Sequence, residues 1–303
     1  MLGANSTYWI SDEYATYLYQ FSAPGKMLQA ISPPQAFLPR RNNTISFSAA
    51  SPPIYAPNTT ISPEDPTSGR ANNQGLEGLT ASPDGKSLYA VLQSATIQDG
   101  GKSSSKRRYT RMLQYSVDTT TSPSTPNITL AAEYTIPLPI LPSSSKVAAQ
   151  SELHYISPTQ FLLLARDSGA GHGAPSTRST YRNADVIDIS AATNVLGSRA
   201  DEAQGQVASR DGVLKGDIVA ATYCPWLSFN VDAQLARFGV RNGGAQGDAL
   251  LNEKWESFAV IAADAEDGSG GHYLLSLSDN DFITQDGESC KAVGPGKKKG
   301  YLC

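Results

Sequence analysis

Gly75–Ser94 reads GLEGLTASPDGKSLYAVLQS: a short run opened by Glu77, the turn Pro83-Asp84-Gly85, and an apolar run closed by Gln93. Tyr, Val and Leu suit a pleated strand, and Pro-Asp-Gly supplies turn chemistry, so the stretch is predicted to be a β-hairpin. The plan recurs at Ser151–Ser168 (SELHYISPTQFLLLARDS) and Lys254–Phe282 (KWESFAVIAADAEDGSGGHYLLSLSDNDF), where Glu152 and Glu256 open the unit and Asp167 and Asp279 close it. The opening and closing groups stand 16, 15 and 23 residues apart, the last interval stretched by a Gly/Asp-rich insert. Tyr8–Tyr14 (YWISDEY) supplies a closing half alone. Hairpins repeated in this way indicate a radial arrangement whose matching ends meet at one place, here lined with carboxylates.

The fold class expected is therefore all-β: a single β-propeller over residues 1–285, with roughly six blades at about 40–50 residues each and an incomplete first blade. Further strands are predicted at 17–21, 27–31, 111–117, 131–136 and 184–189, and one short helix at 231–238, where Val231, Leu235 and Phe238 fall at helical spacing. Residues 32–73 read as a long Pro/Ser/Thr-rich loop or insertion in which Ile45–Phe47 could add a short strand, Gly100–Arg108 (GGKSSSKRR) as a solvated, flexible hairpin tip, and 286–303 as a poorly ordered tail.

Composition narrows the function. The 303 residues carry 26 Gly, 19 Pro and a net charge of −4, which gives no basic field for nucleic acid. No apolar run is long enough to span a bilayer. No HExxH, GxSxG or CxxC occurs, so zinc-protease, serine-hydrolase and thiolate-zinc chemistry have no support. Four N-x-S/T sequons, at Asn5, Asn42, Asn58 and Asn127, together with a start in the middle of a unit, read as an extracellular glycoprotein that lacks its first segment and signal peptide. Cys290 paired with Cys303 or with Cys224 is compatible with that setting.

Carboxylates at matching strand ends repel one another unless a cation compensates them, and an all-oxygen donor set points to a hard ion such as Ca²⁺. Asp12, Glu13, Asp279 and Asp281 are the candidate metal ligands, and Glu77, Glu152, Asp167 and Glu256 the candidate catalytic groups. Arg166 and Lys254, standing beside acids, are candidates for holding an anionic group such as phosphate.

The segments GLEGLTASPDGKSLYAVLQSA, WISDEY, LLLARDS, EKWESFAV and SDNDF resemble the phytase-like domain family, also called "esterase-like activity of phytase", from about Tyr8 to Phe282. The resemblance implies a β-propeller with acidic catalytic or metal-binding positions and phosphate esters as substrates, and hence a monomeric, secreted hydrolase of small phosphate esters. The alternative is a non-catalytic extracellular propeller with structural Ca²⁺, or an inactive fragment. Where family members have Gly after SDEY, Glu before Arg-Asp and Gly after the last Glu, this chain has Ala15, Ala165 and Ser257.

Overall fold

Apolar side chains that occupy both faces of a strand must be covered on both sides, and that requirement sets the layering. The computed structural model describes residues 3, 6–47, 61–142, 144–263 and 270–279. Strands β1 (Tyr8–Ser11), β2 (Leu18–Phe21) and β3 (Met27–Ile31) form the first sheet, with β1 at its edge. The second sheet runs β6 (Leu76–Ala81), β7 (Ser87–Leu92), β8 (Tyr109–Asp118), β9 (Asn127–Pro137), after a two-stranded hairpin of β4 (Arg40–Arg41) and β5 (Thr44–Ile45). The third is β10 (Ala149–Tyr155), β11 (Gln160–Arg166), β12 (Arg182–Asp188), β13 (Thr222–Ser228), and the fourth pairs β14 (Lys254–Ala262) with β15 (His272–Asp279). Every pairing in these sheets is antiparallel and links strands consecutive in sequence, so each larger sheet is a meander.

On β7, Leu88, Ala90 and Leu92 join Trp9, Leu18 and Phe37 of the first sheet and its connection, while Tyr89 and Val91 join Leu153, Phe161 and Leu163 of the third. On β11, Phe161, Leu163 and Ala165 face the second sheet, while Leu162 and Leu164 meet Phe258 of β14. The sheets therefore stack face to face in chain order. The uninterrupted runs SLYAVL and FLLLA are the sequence signature of strands covered on both sides. Each fully buried Leu or Phe contributes about 1.5–3 kcal/mol relative to exposure.

A buried charge network fixes the connection after β12. Arg111 of β8, fully buried, ion-pairs with Asp99 (2.7 Å) and Glu133 (3.0 Å) and donates to the carbonyls of Ala200 (2.8 Å) and Gly205 (2.7 Å). Asp99 in turn accepts from the Val207 and Ala208 amides.

Two expectations need correction. The helix expected at 231–238 is only Asp232–Ala236 (α1), with Val231 and Phe238 45% and 76% exposed. Within the described part of 32–73 lie β4 and β5, and Phe37 enters the core with no exposed surface. The Gly100–Arg108 tip is tied down by hydrogen bonds, from Val147 N to Ser104 O (2.7 Å) and from Leu138 N to Arg108 O (2.7 Å). Irregular backbone carries no periodicity, so such anchoring leaves no pattern in the sequence. The expected tail lies outside the described residues, as do Cys290 and Cys303.

Gly75 precedes β6 where the Asp12-Glu13 turn crosses it, and a Cβ there would sit 2.1 Å from the Glu13 carbonyl oxygen. Backbone cannot yield as a side-chain tip can. Gly75→Ala is expected to destabilise the protein by about 1–3 kcal/mol through overpacking, read as a lowered Tm; an unchanged Tm would show that the turn is free to move.

Candidate functional site

The first strands of the second, third and fourth sheets share one defect. In the β6–β7 register Leu76 opposes Leu92 and Gly78 opposes Val91, leaving Glu77 as an extra residue. Between β10 and β11 the residue left over is Ser151, and between β14 and β15 it is Glu256. A β-bulge of this kind re-aims the inserted side chain out of the regular alternation. The structurally equivalent set is therefore Glu77, Ser151 and Glu256. Glu152 stands one position later, level with Gly78 and Ser257. Matching the three units on their glutamates misplaces the middle one by one residue. Matching the apolar residues that follow (Leu79, Leu153, Phe258) would have recovered Ser151.

The closing positions shift likewise. Leu92, Ala165 and Ser278 oppose the residue just before each bulge, so the next residues, Gln93, Arg166 and Asp279, are equivalent. Asp12 joins them: Leu76 N donates to Asp12 O (3.2 Å) as Gln150 N donates to Gln93 O (3.1 Å). Asp167 lies one step beyond. It accepts from the Ser179 hydroxyl (2.7 Å), the Thr180 amide (2.6 Å) and the Thr180 hydroxyl (3.1 Å), so both its oxygens are engaged in bracing a loop.

One chain of polar contacts crosses the four sheets. Gln93 Nε2 donates to Glu13 Oε1 (2.9 Å), and the Ser11 hydroxyl donates to the Glu77 carbonyl (3.0 Å). Arg166 Nε donates to Ser151 Oγ (2.9 Å), and its NH2 ion-pairs with Glu256 Oε1 (2.7 Å). Lys254 Nζ completes the link to Glu256 (3.1 Å) and Asp279 (3.5 Å). The Arg166 side chain is 5% exposed, that of Lys254 25% and that of Asp279 45%, so the cluster grades from interior to solvent.

Electrostatics sort the carboxyls. Burial, reinforced by the charge of Glu13, raises the Glu77 pKa to about 8, although Arg166 and Gln93 act against it. Glu77 Oε2 is buried and has no hydrogen-bond partner among the described residues. Burial together with the charge of Glu256 raises Glu13 to about 7, against the pull of Lys254 and Arg166. Burial also raises Glu152 to about 7; its neighbours are the Leu153 amide (2.9 Å) and the Ser257 hydroxyl. Near neutral pH Glu77 therefore mostly keeps its proton, while Glu13 and Glu152 are divided between protonated and ionised forms, with Arg166 and Lys254 acting on Glu13.

Among the described residues, protein groups already engage the candidate calcium ligands. Asp12 spends Oδ1 on the Tyr14 (2.7 Å) and Ala15 (3.0 Å) amides and Oδ2 on the Tyr19 hydroxyl (2.9 Å). Glu256 and Asp279 face protein cations, and among the described residues no group of three Asp, Glu, His or Cys could hold a metal. Asp281 lies outside the described residues.

A family model described as "Phytase-like: Esterase-like activity of phytase" matches residues 1–282. An "Uncharacterized secreted protein" of Arthroderma benhamiae is 47% identical over 297 residues, covering 95% of this chain and 58% of the relative; the chain thus spans little more than half that protein's length. No solved structure matches the chain.

Because Glu77 binds a proton in the fold up to about pH 8 but releases it near 4.5 when unfolded, its contribution to stability is full below pH 4.5. That contribution is lost as pH rises to about 8, at no more than about 1.4 kcal/mol per pH unit. Glu77→Gln is expected to melt several degrees above the parent at pH 8.5, with the gap closing towards pH 4.5. A gap independent of pH would contradict the raised pKa.

Proposed function

The chain belongs to the phytase-like family, and on that premise we propose that it is a secreted hydrolase of small phosphate esters, with its sheets arranged as blades of a β-propeller around the polar cluster. One observation carries the reading. Glu77 and Glu13, with pKa values raised to about 8 and 7, flank a cation pair, Arg166 and Lys254, that shares a single carboxylate, Glu256. Neutral carboxyls do not repel an anionic ester and can donate a proton to it, as ionised ones cannot.

In the proposed reaction Arg166 and Lys254 hold the phosphoryl oxygens. Water adds at phosphorus as the ester P–O bond breaks, and Glu77 gives its proton to the leaving oxygen. Glu13, where ionised, accepts the proton of the attacking water. Glu256 keeps the two cations aligned and serves as a positioning residue. Glu152 is a third raised carboxyl, next to Ser257, and takes no part in the proposed reaction, whereas Asp167 holds the loop that carries Ser179 and Thr180. Calcium is proposed only as a counterion that arrives with a polyanionic substrate.

The second reading is a non-catalytic extracellular protein in which Arg166–Glu256–Lys254 is a structural seam between sheets; the closed ion pairs favour it. Phosphate release from an aryl phosphate and from phytate, each with Ca²⁺ and with chelator, separates the two. Activity is expected, with kcat falling as pH rises through about 8 and dropping on the order of 10²-fold or more in Glu77→Gln, whose Tm is measured alongside. No phosphate release from either ester under any condition would leave the seam.

Secretion is supported by the description of the relative as secreted and by the exposure of two sequons, Asn42 and Asn127. Expressed through a eukaryotic secretory route, the protein is expected to lose one glycan mass with each of Asn42→Gln and Asn127→Gln; equal masses before and after would remove the glycoprotein reading.

A further inference from the structure

Arg107 is a third cation near this site, beside Arg166 and Lys254, and neither the reaction above nor the sequence motifs use it. It lies near the end of the loop between the turn Ile97–Asp99 and β8, and that loop is rigidly anchored. Gly101 N donates to Thr96 O (2.8 Å), Ser104 O accepts from Val147 N (2.7 Å), and Lys106 pairs with Asp211. A Cβ on Gly212 would lie 2.3 Å from the Lys106 carbonyl, so a second segment presses on the loop from the other side. Val147, which holds Ser104, stands two residues before Ala149, and Ala149 is the register partner of Arg166, so the anchored loop runs alongside the end of β11 that carries Arg166. Burial first, and then the charge of Arg166, lowers the Arg107 pKa. Its Nε is buried without an acceptor, and no ion pair among the described residues includes it. Arg166 also has capacity to spare: Nε and NH2 are committed to Ser151 and Glu256, but NH1 makes only 3.4 Å contacts, to the Asp167 carbonyl and the Ser168 hydroxyl.

Two guanidiniums held together with unused donors repel each other unless an anion lies between them, and planar forks of this kind suit the oxygens of a tetrahedral oxyanion. We propose that Arg107 and Arg166 together form an anion cleft that receives a phosphate group, with Arg107 contacting the ligand directly. The identity of the anion rests on the phosphate-ester reading; the cleft itself rests on the two arginines.

Calorimetric titration with inorganic phosphate tests the proposal on the parent, Arg107→Gln, Arg107→Lys and, as a same-charge control on the exposed part of the loop, Lys102→Gln. Arg107→Gln is expected to weaken phosphate binding about 10- to 100-fold while Tm stays level or rises, because a like-charge repulsion is relieved. Arg107→Lys is expected to retain part of the affinity, and Lys102→Gln to behave as the parent. Equal phosphate affinity in the parent and Arg107→Gln would overturn the proposal, and so would a lower Tm in Arg107→Gln restored by Arg107→Lys, the mark of a structural arginine. Sulfate and a dicarboxylate are titrated in parallel. If the parent binds one of these and not phosphate, and Arg107→Gln loses it, the cleft stands and the phosphate-ester reading falls. A parent that binds none of the three anions refutes the cleft, whatever hydrolysis it shows.

Discussion

One extra residue in the first strand of three successive sheets is the constraint on which the site depends. A regular strand would send Glu77 and Glu256 into the strict alternation that fills the core with Leu76, Leu79 and Phe258. The bulge releases them from it and places them, with Ser151, at equivalent strand ends. Stacking the sheets in chain order then brings those ends close enough for Arg166 of the third sheet to pair with Glu256 of the fourth. Gly75 and Gly78 serve the same convergence: a Cβ on Gly78 would meet Val91 and Gln150 at 2.8 Å and Leu153 at 3.0 Å, so glycine lets the neighbouring strands approach.

Convergence of carboxyls is costly, and the chain offsets the cost in two ways. Glu256 and Asp279 face Lys254, with Arg166 adding to Glu256, while Glu13, Glu77 and Glu152 are pushed towards their neutral forms by burial. Sequence reasoning considers only compensation by a cation, a metal ion or the neighbouring Arg166 and Lys254, because spacing does not reveal which carboxyls lie inside. The departure at Ser257 belongs here too. The Ser257 hydroxyl lies beside Glu152 and gives that buried carboxyl a polar neighbour.

The elements that read clearly in the sequence are those whose signal is local. The Pro83-Asp84-Gly85 hairpin forms as expected, with Asp84 Oδ1 accepting from Ser82 Oγ (2.6 Å) and Lys86 N (3.1 Å) and Gly85 at φ +69°. The doubly apolar runs of β7 and β11 mark themselves as covered strands. What stays hidden is register and irregular backbone. The bulge sits at the same place in all three units but carries Ser in the middle one, so matching on glutamates hides that Ser151 and Arg166, rather than Glu152 and Asp167, occupy the recurring positions. Arg107 belongs to a stretch whose composition is that of any solvated loop, and only the contacts of Ser104, Lys106 and Gly212 show that it is fixed. The first sheet's contribution, Glu13, was legible as an acid but not as a buried one, because its burial comes from Gly75 and Gln93 more than 60 residues away in sequence.

The account stands on two carboxyls whose proton affinity is raised into the neutral range. Carbon-detected NMR of the glutamate side-chain carboxyls, with Glu13→Gln and Glu77→Gln used to assign the signals, measures this directly. Midpoints near 7 for Glu13 and 8 for Glu77 are expected. Both groups titrating near 4.5, the ordinary glutamate value, would contradict the account.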